Sequence, residues 1–305
     1  MANLVLETLQ LLATLFLHYV IAFARLFVPV PRKSIQDEIV LITGAGSGIG
    51  KGMAIEFAKI GAKIVCVDIN KQANDQTVEV IKSLNQKAFG YKCDCSSRED
   101  IYRVADIVKR EVGEVTILVN NAGIVSGKKF LDTEDWMIQK TMEVNTMAHF
   151  WTVKSFLPSM LAKNHGHVVN IASSAGFFGV PGMCDYCSSK FGAVGFDESL
   201  RMELSSLGKT GVKTTVVCPY YINTGMFDGV KTRFPMLLPI LDPDWVVKEI
   251  VDAVLRNKEV LILPKILSFF LVIKWIIPSS SYVLLANYFG ISNSMESFRG
   301  RAKKD

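Results

Sequence analysis

From residue 38 onward the chain alternates between two patterns of apolar and polar positions. Short runs rich in Val and Ile, with apolar stretches at their centres or ends, read as buried strands at 38–43, 63–68, 116–120, 167–171, 213–218 and 259–263, with a more mixed strand at 87–92. Between them lie stretches of helical pattern at 51–60, 71–84, 98–111, 135–163 and 245–256, and 191–207 extends a helix that carries Tyr186 and Lys190. This alternation predicts an α/β fold, a doubly wound parallel sheet, whose ligands bind at the carboxyl ends of the strands.

The two ends break the pattern. Residues 9–28 are almost uninterrupted apolar sequence and, as a helix, would be about 30 Å long, enough for a hydrocarbon core. Ala22-Phe23-Ala24 resembles a signal cleavage site, but no Lys or Arg precedes the run, and its polar residues are too few for the solvent face of a buried helix. A membrane anchor over 1–31 is the better reading. Arg25, Arg32 and Lys33 follow it, so the positive-inside bias puts the domain at 37–263 in the cytosol. Residues 261–277 turn apolar again but hold Lys265, Lys274 and Pro264, with Pro278 next in the chain. The segment 264–305 is therefore expected to embed at a membrane interface or form a dimer contact, with burial against the core equally compatible with its composition.

Composition adds exclusions. Half of the 305 residues are hydrophobic and the net charge is +5. The basic cluster Arg299, Arg301, Lys303, Lys304 suits an anionic membrane, and no nucleic-acid signature accompanies it. The six cysteines lack the spacing of metal ligands and read as thiols of a reducing compartment, so no metal is expected.

Chemistry enters where strands end. Gly44-Ala45-Gly46-Ser47-Gly48-Ile49-Gly50 follows the first strand and opens a helix, and Asp68 ends the next strand eighteen residues later. That arrangement is a mononucleotide-binding unit, with glycines that let backbone amides approach a pyrophosphate. The Asp68 carboxylate can accept the ribose hydroxyls and would repel a 2′-phosphate, which favours NAD over NADP. A turn aspartate is the plain alternative. Asn120-Asn121-Ala122-Gly123 makes a second small-residue turn. Tyr186 and Lys190, four apart, share a helix face, and an ammonium beside a phenol favours the phenolate. Ser173, after the strand at 167–171, could hold a substrate oxygen.

With these motifs in order, residues 37–263 resemble the short-chain dehydrogenase/reductase family, in its membrane-anchored branch of retinol and 17β-hydroxysteroid dehydrogenases. The resemblance implies a Rossmann-type sheet, a homodimer and a catalytic set of Asn145, Ser173, Tyr186 and Lys190. It assigns Gly44, Ser47, Gly48, Ile49, Gly50, Asp68, Asp94, Asn121, Ala122, Gly123, Tyr186, Lys190, Pro219, Ile222 and Thr224 to the cofactor. Tyr186 would take the alcohol proton, Ser173 bind the oxygen and Lys190 lower the tyrosine pKa, while Asn145 orders a water. Tyr220 departs from the family, which usually has Gly there. The implied reaction is NAD-dependent oxidation of a lipophilic alcohol, all-trans-retinol first and a steroid second. It would run at the cytosolic face of the endoplasmic reticulum, shared with lipid droplets. The apolar, Met- and Phe-rich stretch 225–241 reads as a lid, as plain packing or as membrane-facing surface. A membrane coat with a vestigial site is the competing reading from another class.

Overall fold

The computed structural model describes residues 2–25 and 27–300, and the chain divides into two units, 1–34 and 35–305. The first consists chiefly of α1 (Ala2–Ala24), a helix whose described side chains are all exposed. It begins seven residues before the apolar run at 9–28 was expected to start, and it is long and apolar enough to cross a membrane.

The second unit holds seven strands: β1 (Ile39–Thr43), β2 (Lys63–Asp68), β3 (Ala88–Lys92), β4 (Ile117–Asn120), β5 (Gly166–Ile171), β6 (Val212–Pro219) and β7 (Val260–Leu263). They form one parallel sheet in the order β3-β2-β1-β4-β5-β6-β7. Alternate residues of a strand point to opposite faces, and here both faces are covered. Val40 and Ile42 of β1, with Ile64 and Cys66 of β2, join one core layer, while Leu41, Val65 and Val67 join the other. The first layer is closed by α2 (Gly48–Lys59), α3 (Lys71–Ser83) and, further along the chain, the helix Pro243–Leu255. The second is closed by α4 (Arg98–Glu111) and by the later helices Ala148–Lys163 and Cys184–Ser206. This two-sided burial is why the strands read as continuous apolar runs.

Local chemistry sets the helix starts. Asn70 accepts the Ala73 amide before α3, and Ser97 accepts the Asp100 amide before α4. One expectation is corrected between residues 135 and 163. The chain forms α5 (Asp135–Met142) and α6 (Ala148–Lys163), joined by a π-helical turn at Glu143–Met147. No Pro or Gly marks that widened turn. Beyond α7 (Cys184–Ser206) comes α8 (Pro243–Leu255), begun by the Asp242 cap on the Trp245 amide. Two further helices, α9 (Ile266–Ile276) and α10 (Ser279–Tyr288), follow β7. In the basic tail Arg299 pairs with Asp228 at 3.2 Å, whereas Arg301, Lys303 and Lys304 lie outside the described residues.

Candidate active site

The sheet order reverses direction between β1 and β4, where a doubly wound sheet opens a crevice at its carboxyl edge. The glycine turn after β1 and the Asn121-Ala122-Gly123 turn after β4 meet there. Thr43 ties them together, its hydroxyl accepting the amides of Asn121 at 2.9 Å and Ala122 at 3.0 Å. The Asn121 side chain returns the link by donating to the carbonyl of Thr43 at 2.9 Å. Gly50 cannot be otherwise at this crossing, because a Cβ there would stand 2.1 Å from the Gly44 carbonyl oxygen.

From this crossing a cleft of about 1460 Å³ runs along the strand ends. It is lined by Asp68 and Asp94 beyond β2 and β3, by Gly44, Ser47, Gly48, Ile49 and Gly50 after β1, and by Tyr186, Lys190, Pro219, Ile222 and Thr224, the last lying against Gly48. Asp68 already accepts the amides of Gly46 and Asn70, each at 2.8 Å, so it shapes the turn and keeps lone pairs for a hydroxyl. Burial alone would raise the Asp94 pKa, but the Ser96 hydroxyl and amide and the Lys140 ammonium at 3.1 Å hold it below its usual range. The bare glycine backbone after β1 and the acid at the end of β2 fit a dinucleotide.

In the same cleft, α7 brings Tyr186 and Lys190 together with Ser173. Lys190 Nζ donates to the Ile171 carbonyl at 2.8 Å and lies 5.6 Å from the Tyr186 ring centroid. Burial lowers its pKa from 10.5 to about 8. The Tyr186 phenol is buried too, and desolvation raises its pKa, with only the Ser173 hydrogen bond pulling the other way. The expected lowering by Lys190 is therefore absent from this state. Loss of water is the leading cause for both groups.

Asn145 sits in the π turn, fully buried. Its Oδ1 accepts the Ile124 amide at 2.8 Å, and its Nδ2 donates to the Ile124 carbonyl and to Ser189 Oγ. One Oδ1 lone pair is left over. A Cβ on Gly123 would stand 3.4 Å from that Oδ1 and 3.7 Å from Lys190 Nζ, so both groups face the space beside this glycine.

A second cavity, with about 880 Å³ of empty space, meets the cleft at Ser173, Tyr220 and Phe227, which line both. Its other walls are largely apolar, with Ser174, Lys274 and Ser294 among them. Phe178, Val180 and Met183 come from the loop before α7, Leu238 from the stretch 225–241, and Phe270, Ile273 and Leu285 from α9 and α10. Phe227 stacks edge-on against Tyr186 with ring centroids 5.7 Å apart. The stretch 225–241 thus divides its roles: Phe227 and Leu238 face the cavity, whereas Met236 is fully exposed.

Sequence reasoning gave no site role to several residues found here. Tyr220 was noted only as a departure, yet it occupies the junction of the two cavities, with its amide fixed to the Leu263 carbonyl at 2.7 Å. Lys140 and Lys274 carried no local signal, because tertiary packing alone brings them to the cavities.

The model of the family described as short chain dehydrogenase matches residues 38–233. Epidermal retinol dehydrogenase 2 of Mus musculus is 51% identical over 275 residues, covering 90% of this chain and 89% of that protein. The 17-beta-hydroxysteroid dehydrogenase 13 of Homo sapiens is 46% identical, covering 93% of each chain. Among solved structures, a short chain dehydrogenase/reductase from Burkholderia phymatum in complex with NAD superposes with a TM-score of 0.72 at 25% identity. That match covers 80% of this chain and 94% of the other. Fold, matched family and relatives agree, and the chain belongs to the short-chain dehydrogenases.

Proposed function

We propose that this dehydrogenase oxidises a lipophilic alcohol with NAD, all-trans-retinol being the first candidate and a 17β-hydroxysteroid the second. The observation that carries the reading is the meeting, at Ser173, of an apolar pocket with the cleft lined by the glycine turn and Asp68. An enzyme for a lipid alcohol needs such a junction, with a water-poor chamber for the substrate beside the cofactor groove. The two relatives above bear the names of a retinol and a steroid dehydrogenase.

The bound nicotinamide would supply the hydride acceptor. The rest of the chemistry falls to side chains. Ser173 Oγ, already placed by the Ala175 amide at 3.1 Å, holds the substrate oxygen. Tyr186 Oη takes its proton. Because burial keeps the phenol protonated, the ammonium of Lys190 is the neighbouring charge available to stabilise the phenolate as it forms. Asn145, with its spare Oδ1 lone pair facing the space near Lys190, orders the water through which the proton leaves.

Retinol and estradiol, each offered with NAD and with NADP to the full-length chain in vesicles, give the direct test. Turnover is expected with NAD. Asp68→Ser should narrow the preference for NAD by about 10- to 100-fold, the worth of a charge-assisted hydrogen bond. A wild-type enzyme that works better with NADP would sink the cofactor assignment, and no turnover of either alcohol would sink the substrate class.

The exposed α1 supports a membrane anchor that holds the domain on the cytosolic face of the endoplasmic reticulum and on lipid droplets. Protease added to intact microsomes should digest the domain, as followed with an antibody to the carboxyl-terminal residues. Protection until detergent is added would invert this orientation.

A further inference from the structure

Helix α9 is apolar on two faces at once. Leu267, Phe270 and Ile273 turn inward and line the pocket beside Ser173. On the other side Phe269, Val272, Trp275 and Ile276 are 57–76% exposed. α10 repeats the arrangement, with Leu285 and Ala286 on the pocket and Val283 and Leu284 largely open. One layer of helix therefore separates the pocket from the exposed apolar residues of α9 and α10. A helix apolar all round belongs in a larger core or in lipid, and a patch of this kind marks an interaction surface.

Charge decides between occupants. Residues 260–295 contain Lys265 and Lys274 and no Asp or Glu. Lys274 runs beside the pocket and donates from its ammonium to the Phe177 carbonyl, near the faces of Phe178, Trp275 and Tyr282. Lys274 is thus held inward, while Lys265, exposed where α9 begins, suits the level of lipid phosphates. From Phe269 to Ile276 the exposed residues of α9 offer one side-chain hydrogen-bonding group, the Trp275 indole N–H, whereas a protein–protein interface carries about one hydrogen bond per 100–200 Å².

We propose that α9 and α10 lie in a membrane leaflet, outer faces among the acyl chains, and that the lipophilic alcohol enters the pocket sideways between them. This rests on the reading of the substrate given above. The surface itself can be tested without turnover. Of the four tryptophans, Trp275 alone lies on α9 or α10. In vesicles of phosphatidylcholine with brominated acyl chains, the full-length wild type should lose a component of its fluorescence that Trp275→Phe lacks. Acrylamide in the water should leave that component largely unquenched.

Equal bromine quenching of wild type and variant would overturn the proposal. If acrylamide quenches the Trp275 component instead, the face is in water. If neither agent reaches it, a second copy of the chain covers it. The route is tested with Val272→Glu and Leu284→Glu, both at exposed positions. The ratio of KM for retinol dissolved in vesicles to KM for a short water-soluble allylic alcohol should rise by about tenfold or more. An unchanged ratio would exclude sideways access. A protein that oxidised neither alcohol, yet showed the bromine signal, would refute the substrate reading and leave the membrane surface standing.

Discussion

Replacing Tyr186 by Phe should lower kcat for alcohol oxidation by about 10²–10⁴-fold, the usual worth of a positioned acid–base group. The substitution is close to a pure deletion of chemistry. Tyr186 is buried, and its ring packs edge-on against Phe227, a contact that Phe reproduces. Ser173 loses one partner but stays placed by the Ala175 amide and the Pro219 carbonyl. Dinucleotide affinity should therefore hold within a few-fold while turnover collapses. The pH dependence has a definite sign. Burial raises the phenol pKa, so in the dinucleotide-free protein Tyr186 stays protonated beyond the ordinary tyrosine range. An ultraviolet difference titration of wild type against Tyr186→Phe checks this. Oxidation, which consumes phenolate, should speed up with rising pH, and carbonyl reduction should slow. A variant that turned over retinol within tenfold of wild type would remove Tyr186 as the base.

Lys190→Met should abolish most activity and still leave the fold as stable as before, or more so. Burial lowers the Lys190 pKa from 10.5 to about 8. At 1.36 kcal/mol per unit, holding this charge in the folded protein at neutral pH costs about 3 kcal/mol. Methionine fills a similar volume without that cost. It strands the Ile171 carbonyl, which now accepts from Nζ at 2.8 Å, at about 1–3 kcal/mol. The net change lies between zero and a gain of about 2 kcal/mol. Between pH 8 and 10.5 the unfolded wild type binds more protons than the native protein, so wild-type stability rises with pH across that window. The variant should lack that rise. Thermal unfolding in detergent at pH 7 and pH 10 separates the outcomes. A variant destabilised by several kcal/mol at pH 7 would mean that Lys190 is charged at little cost.

The sheet could be read in the sequence because each strand is sealed on both faces. Glu38 and Thr116 were the expected starts of runs whose strands begin one residue later, at Ile39 and Ile117. The π turn was not legible, since Glu143–Met147 contains neither Pro nor Gly and the bonds of Asn145 to Ile124 join residues 21 apart in the chain. α10 was missed because Ser279, Ser280 and Ser281 dilute its apolar pattern. Ser173, Tyr186 and Lys190 were legible through spacing on one helix and one loop. Tyr220, Phe227 and Lys274 were not, because their places depend on how 220–241 and the last helices fold back over the pocket.

Thr43 carries a consequence for the cofactor groove. Its oxygen accepts two amides, and its single proton is directed at the Val119 carbonyl at 3.4 Å. That hydroxyl has no capacity left to offer a ligand. The crossing of the two turns is thus held by the protein's own hydrogen bonds, as is the Asp68 link to the Gly46 amide. A dinucleotide entering the groove need not freeze loose backbone before its contacts are made. The groove is preorganised, and more of the gross interaction energy remains as affinity because little conformational entropy is surrendered.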